Sequence, residues 1–229
     1  MWPPDNERFA DRATAGRELG AEVMQHLTSV LAGEQAPALV LALPRGGVPV
    51  AVEVASALRA DFDLLIACRI GLPWQPDFGI GAIAEDGPPV FDHDALASAG
   101  LSLGDVGPAV QRARAQLQTR QDRYRGGRTA PAIAGRTVVV VDDGLTPSVV
   151  ARAAVRALRK AEPAHLVFAA PVCAAESADC LCADADAVVH VRSPREFHAL
   201  GLWYRDFTPL GDDDVTDILT RARGAAPVR

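Results

Sequence analysis

The chain has 229 residues, 49% of them apolar and only 5% aromatic, and a net charge of −6. That fits a single α/β domain, residues 1–229, with a core mainly of Ala, Val and Leu; an acidic chain without a basic block is no nucleic-acid binder. No apolar stretch nears the roughly 20 residues of a membrane span, and the N-terminus lacks a signal peptide's pattern, so a cytoplasmic protein is expected.

Helical spacing of Ala, Leu and Val over Asp11–Leu31 predicts an opening helix. Ala38–Leu43 is a continuous apolar run suited to a buried parallel strand, broken by Pro44-Arg45-Gly46-Gly47 and followed by a helix over Val48–Leu58. Asp63–Cys68 reads as a second strand. Residues 69–91 read as irregular, with short apolar pieces at Gly81–Ala84 and Val90–Phe91. A long polar helix is expected over Asp105–Tyr124, its Arg-rich end (Arg120–Arg128) solvated. Three strand–helix pairs follow, with strands at Thr137–Val141, His165–Ala170 and Ala187–Val191. This alternation predicts a parallel sheet of about five strands with helices on both faces, a core over about 36–192, and ligands at the C-terminal strand ends.

The stretch VVVVDDGLTPSVV, Val138–Val150, carries the chemistry. Asp142 and Asp143 end the most apolar strand, Gly144 permits a sharp turn, and a helix start that favours anions follows. Two carboxylates would repel a bare phosphate. They suit ribose hydroxyls or Mg²⁺, with a phosphate on the same ligand at the helix start. Such a seat requires acid side chains that are not tied up in internal ion pairs and turned from any cavity. The alternative for this turn is a plain helix start, with Thr146 as N-cap and Pro147 at the first helical position. Pro44–Gly47 offers backbone N–H groups of Gly46 and Gly47, plus Arg45, for pyrophosphate; its alternative is a tight turn.

These segments resemble the type I phosphoribosyltransferase family. VVVVDDGL is similar to its ribose-phosphate motif, LPRGGVPVA (Leu43–Ala51) to its pyrophosphate loop, RIGLPWQPDFGIGAIAEDG (Arg69–Gly87) to the mobile loop of one uncharacterised subgroup, and GLWYRDF (Gly201–Phe207) to that subgroup's closing segment. The resemblance covers nearly the whole chain in order. It implies a small hood made from the terminal segments and a mobile loop over 70–86. It implies transfer of a phosphoribosyl group from phosphoribosyl pyrophosphate, with Mg²⁺, to an acceptor the sequence does not name. In that reading Asp142 and Asp143 hold the ribose and, through water, the metal, with Arg69 also catalytic. Arg45, Gly46 and Gly47 face pyrophosphate, and Gly144, Leu145, Thr146, Ser148 and Val149 bind the 5′-phosphate. A homodimer is suggested by analogy.

The chain departs from the family's G-x-A-T-G-x-T turn. Thr146, Pro147, Ser148 and Val150 replace Ala, Thr, Gly and Thr, removing one N–H and one hydroxyl and adding a side chain where phosphate meets bare backbone. At about 1.5–3 kcal/mol per charge-assisted hydrogen bond, two or three losses weaken binding by a factor on the order of 10² or more. In the mobile loop, Ile70 stands where the subgroup has lysine and Asp77 where it has glutamate; Lys160 is the only lysine in the chain. These departures keep a second reading open, a non-catalytic regulatory protein that binds a nucleotide or ribose phosphate.

Other features take plainer readings. Gly100–Gly104 spells G-x-S-x-G, but no strand precedes it, and Ser102 with Asp105 reads as a capping box. His165 and His190 read as structural. Trp203 and Tyr204 read as packing the closing segment onto the core. The four cysteines read as buried, reduced thiols.

Overall fold

The structure, a computed structural model, describes residues 3–31, 38–72, 74–76, 78–85, 87–146 and 149–224. Helix α1 (Arg12–Val30) starts where Asp11 accepts a hydrogen bond from the Thr14 amide at 2.6 Å. Strand β1 (Leu39–Ala42), helix α2 (Gly47–Leu58) and strand β2 (Asp61–Leu64) form the first crossover. Strands β3 (Ala67–Gly71), β4 (Gly79–Ala84) and β5 (Val90–Phe91) follow, then helices α3 (His93–Ser98) and α4 (Gly107–Arg125). The second half runs β6 (Thr137–Val141), α5 (Val149–Arg159), β7 (His165–Val172), α6 (Ala175–Leu181), β8 (Ala187–Arg192) and α7 (Asp212–Gly224).

The main sheet is parallel, with strand order β2-β1-β6-β7-β8. The five-stranded α/β sheet is as expected from the sequence. Alternating residues of the strands enter two separate cores. Val139 and Val141 pack with Val50 and Val54 of α2, whereas Val138 and Val140 pack with Val155 and Leu158 of α5. The chain winds outward from β1 to β2 on one side and from β6 through β7 to β8 on the other. The order reverses between β1 and β6, so their C-terminal ends flank a crevice that no crossover covers, and ligands of such sheets bind there.

The stretch read as irregular is a second sheet, antiparallel, of order β3-β4-β5, packed on α4 and α5. The strand expected over Asp63–Cys68 is two pieces. Leu65 still donates to the Ala42 carbonyl at 2.9 Å, but Ile66 donates to the Glu85 carboxylate at 3.1 Å and the chain leaves the main sheet. Arg125 fixes this corner. It is 7% exposed and reaches Asp63 at 3.1 Å, the Leu64 carbonyl at 3.1 Å and Glu85 at 2.5 Å. The Arg-rich helix end is therefore a structural tie and not merely solvated. Ser102 does bond Asp105, through both amide (2.9 Å) and hydroxyl (2.5 Å), but α4 begins only at Gly107. Cys68 and Cys173 are buried as expected; Cys180 and Cys182 are exposed, because the end of α6 faces solvent.

Candidate functional site

The crevice between β1 and β6 is where the two sequence motifs meet. Beyond β6, the amide of Asp142 donates to the Ala169 carbonyl at 3.2 Å, keeping the first acid in register with β7. Its carboxylate accepts the Asp143 amide at 2.8 Å. From the other side, Leu43 donates to the Val141 carbonyl at 2.9 Å and Gly47 to the Leu43 carbonyl at 3.1 Å, which folds the Pro44–Gly47 turn against the acids. The Pro44–Arg45 peptide is cis. A Cβ on Gly46 would overlap the Asp143 carboxylate, and one on Gly47 would stand 2.5 Å from the Val141 carbonyl oxygen and 2.9 Å from Asp142 Cα. These two glycines are required because the backbone of one motif lies directly on the acids of the other.

Asp142 lies deep among protein groups yet keeps some solvent contact at the crevice floor. Burial, and then the neighbouring Asp143 charge, pushes its carboxyl well above the usual carboxylate range. Asp143 is 9% exposed and does have an internal ion pair: Arg12 Nε donates to its Oδ2 at 2.9 Å. Asp143 therefore departs from the expectation of acids clear of internal ion pairs; among the described residues no ion pair of Asp142 is present. The physical reason is α1, whose first residue is Arg12. That guanidinium is fixed in turn by the Thr208 carbonyl at 2.9 Å and by the face of Phe207, 3.9 Å from the ring centroid.

The two terminal segments form a lid over this corner. Phe9 bridges to Tyr204, Arg8 donates to the Tyr204 carbonyl at 2.6 Å, and the buried Tyr204 hydroxyl donates to the Asp143 carbonyl at 2.5 Å. Leu200 packs so closely on Gly144 that a Cβ there would overlap it. Trp203 and Tyr204 are buried, in accord with the packing reading.

The remaining expected site residues distribute unevenly. Arg45 is half exposed, with its guanidinium 3.6 Å from Asp212 at the start of α7. Arg69 sits exposed on β3 in the second sheet, its aliphatic stem lying across Gly79. Ile70 beside it is fully buried in the core. Leu145 is buried, its amide donating to the Val172 carbonyl at 2.8 Å and its carbonyl accepting from Ala174 at 2.9 Å. Its backbone is thus occupied by the sheet edge. Thr146 and Val149 are partly exposed; Ser148, Pro147 and Asp77 lie outside the described residues.

Sequence reading missed Arg12, Tyr204's hydroxyl bond, Leu200 and Asp212 as neighbours of the site. The only signal was that the resemblance covered nearly the whole chain and included GLWYRDF near its far end. A cavity of about 780 Å³ lies along α5 and shares Leu145, Thr146 and Val149 with the turn, but neither acid lines it. The acids sit in the crevice; the cavity is a different space. Among the described residues no group of three His, Cys, Asp or Glu side chains is arranged to hold a metal, and no helix is long and apolar enough to cross a membrane.

No family model matches the chain. A protein known from two strains of Mycobacterium tuberculosis and provisionally named a phosphoribosyl transferase is 37% identical over 214 residues. The match covers 93% of this chain and 47% of that protein, so the chain spans about half the length of the curated relatives it matches. Among solved structures, the crystal structure of TT1426 from Thermus thermophilus is 35% identical with a TM-score of 0.74, over 93% of this chain and 98% of that one.

Proposed function

The chain belongs to the type I phosphoribosyltransferase family, and from that membership we propose that it transfers the phosphoribosyl group of phosphoribosyl pyrophosphate to an acceptor nucleophile. The observation that carries this reading is the contact of the Pro44–Gly47 turn with the acid pair through Gly46 and Gly47. The crevice then offers the Gly46 amide for pyrophosphate beside carboxylates for a ribose, at the reversal point of the sheet, while the Gly47 amide is engaged by the Leu43 carbonyl.

In the reaction, a bond forms from the acceptor to C1 of the sugar while the C1–oxygen bond to pyrophosphate breaks, and pyrophosphate departs with the electron pair. The sugar is cationic at the transition state. Asp142 and Asp143 accept hydrogen bonds from the ribose hydroxyls beside the developing positive charge, and the Arg12-paired Asp143 carboxylate is the negative group there. Arg45 and the Gly46 amide bind the departing pyrophosphate, Gly47 letting their turn lie on the acids, and Arg69 approaches it from the second sheet. Gly144, Thr146, Ser148 and Val149 receive the 5′-phosphate at the start of α5. Leu145 contributes to that turn by anchoring it to β7.

The donor set suits Mg²⁺. Carboxylate oxygens are hard ligands, and Mg²⁺ takes one or two of them while completing its shell with water and substrate oxygens. Asp142, whose burial favours a bound proton, would give that proton up to a cation held beside it. Asp142 and Asp143 would hold the ion through water, and it would supply charge neutralisation of the pyrophosphate.

A second reading has its own support. The Arg12–Asp143 pair occupies one acid, and Ile70 faces the core where the family resemblance expects a lysine. Both favour a regulatory protein that binds a nucleotide or ribose phosphate without turnover. Isotope exchange between pyrophosphate and phosphoribosyl pyrophosphate, measured with a panel of nucleobases, separates the two. Exchange establishes the transferase; tight binding without exchange establishes the regulator; neither would sink the ribose-phosphate reading itself.

A further inference from the structure

Arg45, the cation of the Pro44–Gly47 turn, already has a partner. Its Nη1 stands 3.6 Å from Oδ1 of Asp212, the first residue of α7. That is an ion pair without a hydrogen bond, and its two sides are unequal. Asp212 is fixed. From the end of α4, the Tyr124 hydroxyl donates to Oδ1 at 2.5 Å and Arg123 donates to Oδ2 at 3.2 Å. The Tyr124 bond, working against burial and helped by the Arg123 and Arg45 charges, holds the Asp212 carboxyl below the usual carboxylate range, so it is ionised near neutral pH. Tyr124 is itself buried, its hydroxyl pushed up to about 12 by burial and then by Asp212, and it remains a donor. The helix behind Asp212 is anchored as well: Val215 and Leu219 are buried in the core, and the Gly211 amide donates to Asp214 at 2.7 Å. Arg45, by contrast, is half exposed on a long, flexible side chain. Pairs of such exposure are weak, so this one opens readily, and Arg45 is the partner that moves.

We propose that Asp212 is a positioning residue that holds Arg45 in reserve beside the crevice and competes with pyrophosphate for it. The proposal rests on the reading of Arg45 as a pyrophosphate ligand. An anion that reaches the turn takes the guanidinium from a carboxylate and not from water, so its affinity is lowered by the fraction of time the pair is closed. The anion still wins, because phosphate oxygens offer the guanidinium bidentate, charge-assisted hydrogen bonds where Asp212 offers a contact of 3.6 Å. When pyrophosphate leaves, Asp212 takes Arg45 back, and the turn does not keep an unpaired cation that would retain the product.

Asp212→Asn removes the charge and keeps an oxygen for Tyr124. Asp213→Asn is the control: it removes the same charge one residue on, from a carboxylate that pairs with Arg123 at 2.7 Å and has no ion pair with Arg45 among the described residues. On the whole protein without ligand, phenylglyoxal modification of Arg45 is followed by peptide mass spectrometry. Asp212→Asn should react about two- to fivefold faster than wild type, the range that the coupling of a half-exposed pair allows, and Asp213→Asn at the wild-type rate. Titration calorimetry with inorganic pyrophosphate and Mg²⁺ then reads the competition. Asp212→Asn should bind more tightly by a similar factor and Asp213→Asn as wild type does, and in an Arg45→Ala background Asp212→Asn should bring no gain. Melting curves confirm that each variant is folded. An unchanged Arg45 rate in Asp212→Asn overturns the proposal. So does pyrophosphate binding that Asp212→Asn leaves unchanged or weakens, or a gain that Asp213→Asn shares or that persists without Arg45, since that is a general effect of charge. Faster Arg45 modification with no pyrophosphate binding in any of these proteins instead overturns the pyrophosphate reading of the crevice, and the competition with it, so the two failures are distinguishable.

Discussion

Asp142 and Asp143 are adjacent in sequence and differ in almost everything else. Asp143 has a cation of its own and gives its carbonyl to Tyr204; among the described residues Asp142 has neither, and burial beside a second acid disfavours its charge. The consequence for stability has a definite sign. A carboxyl whose folded pKa is raised keeps its proton longer in the folded chain, so the stability it contributes is greatest at low pH and is lost as pH rises from the ordinary carboxylate range toward the raised value. Asp142→Asn, which keeps an oxygen for the Asp143 amide, should therefore raise the melting temperature of the ligand-free protein at about pH 8 and change it little at about pH 4. A variant no more stable than wild type at the higher pH contradicts this. Arg12 works in the opposite sense. Removing one partner of a buried ion pair typically costs about 3–5 kcal/mol, and because this pair still touches solvent Arg12→Gln should fall toward the lower end, read as an earlier denaturant midpoint. An unchanged midpoint would mean that the pair is ornamental.

At the scale of elements, the turn between β6 and α5 carries the departures from the family motif. Restoring its chemistry with Pro147→Thr, Ser148→Gly and Val150→Thr together returns an N–H and a hydroxyl and removes a side chain. At about 1.4 kcal/mol per tenfold, the exchange should tighten Mg-phosphoribosyl pyrophosphate at least tenfold. No change would mean that the turn does not meet the phosphate. Arg125 makes the matching case for the β2–β3 corner: Arg125→Leu leaves Asp63 and Glu85 buried without their shared cation and should destabilise by about 3–5 kcal/mol in a denaturant titration. These two elements also mark what the sequence could say. The strands β1, β6 and β7 were legible because their runs of Val, Leu and Ala are nearly unbroken, as strands covered on both faces require, and β8, a partly exposed edge strand, was legible from its β-branched run. The second sheet was not, since GIGAIA in β4 is short and glycine-interrupted, and β5 has two residues. Arg125 looked like its exposed neighbours, because burial of an arginine depends on carboxylates 40 and 62 positions away. Asp142, Asp143, Gly46 and Gly47 were legible from two local motifs. Arg12 was not, because it comes to Asp143 across 131 residues on the end of a helix with no motif of its own.

Across the whole molecule, the winding of the sheet away from β1 and β6 leaves one crevice, and the chain's two terminal segments close over its corner. The N-terminal helix brings a cation; the segment from Leu200 to Thr208 brings Leu200 onto Gly144, Tyr204 onto Asp143 and the Thr208 carbonyl onto Arg12. Acid pair, glycine turn and lid are therefore one assembly drawn from the beginning, middle and end of the chain. Its central claim is that the acid pair seats a phosphorylated pentose, and titration calorimetry with Mg-phosphoribosyl pyrophosphate tests it most directly. Wild-type protein should bind with a measurable heat that Asp142→Asn abolishes in a folded protein of equal or higher melting temperature. Binding of the same affinity in Asp142→Asn, or none in wild type, would contradict the account.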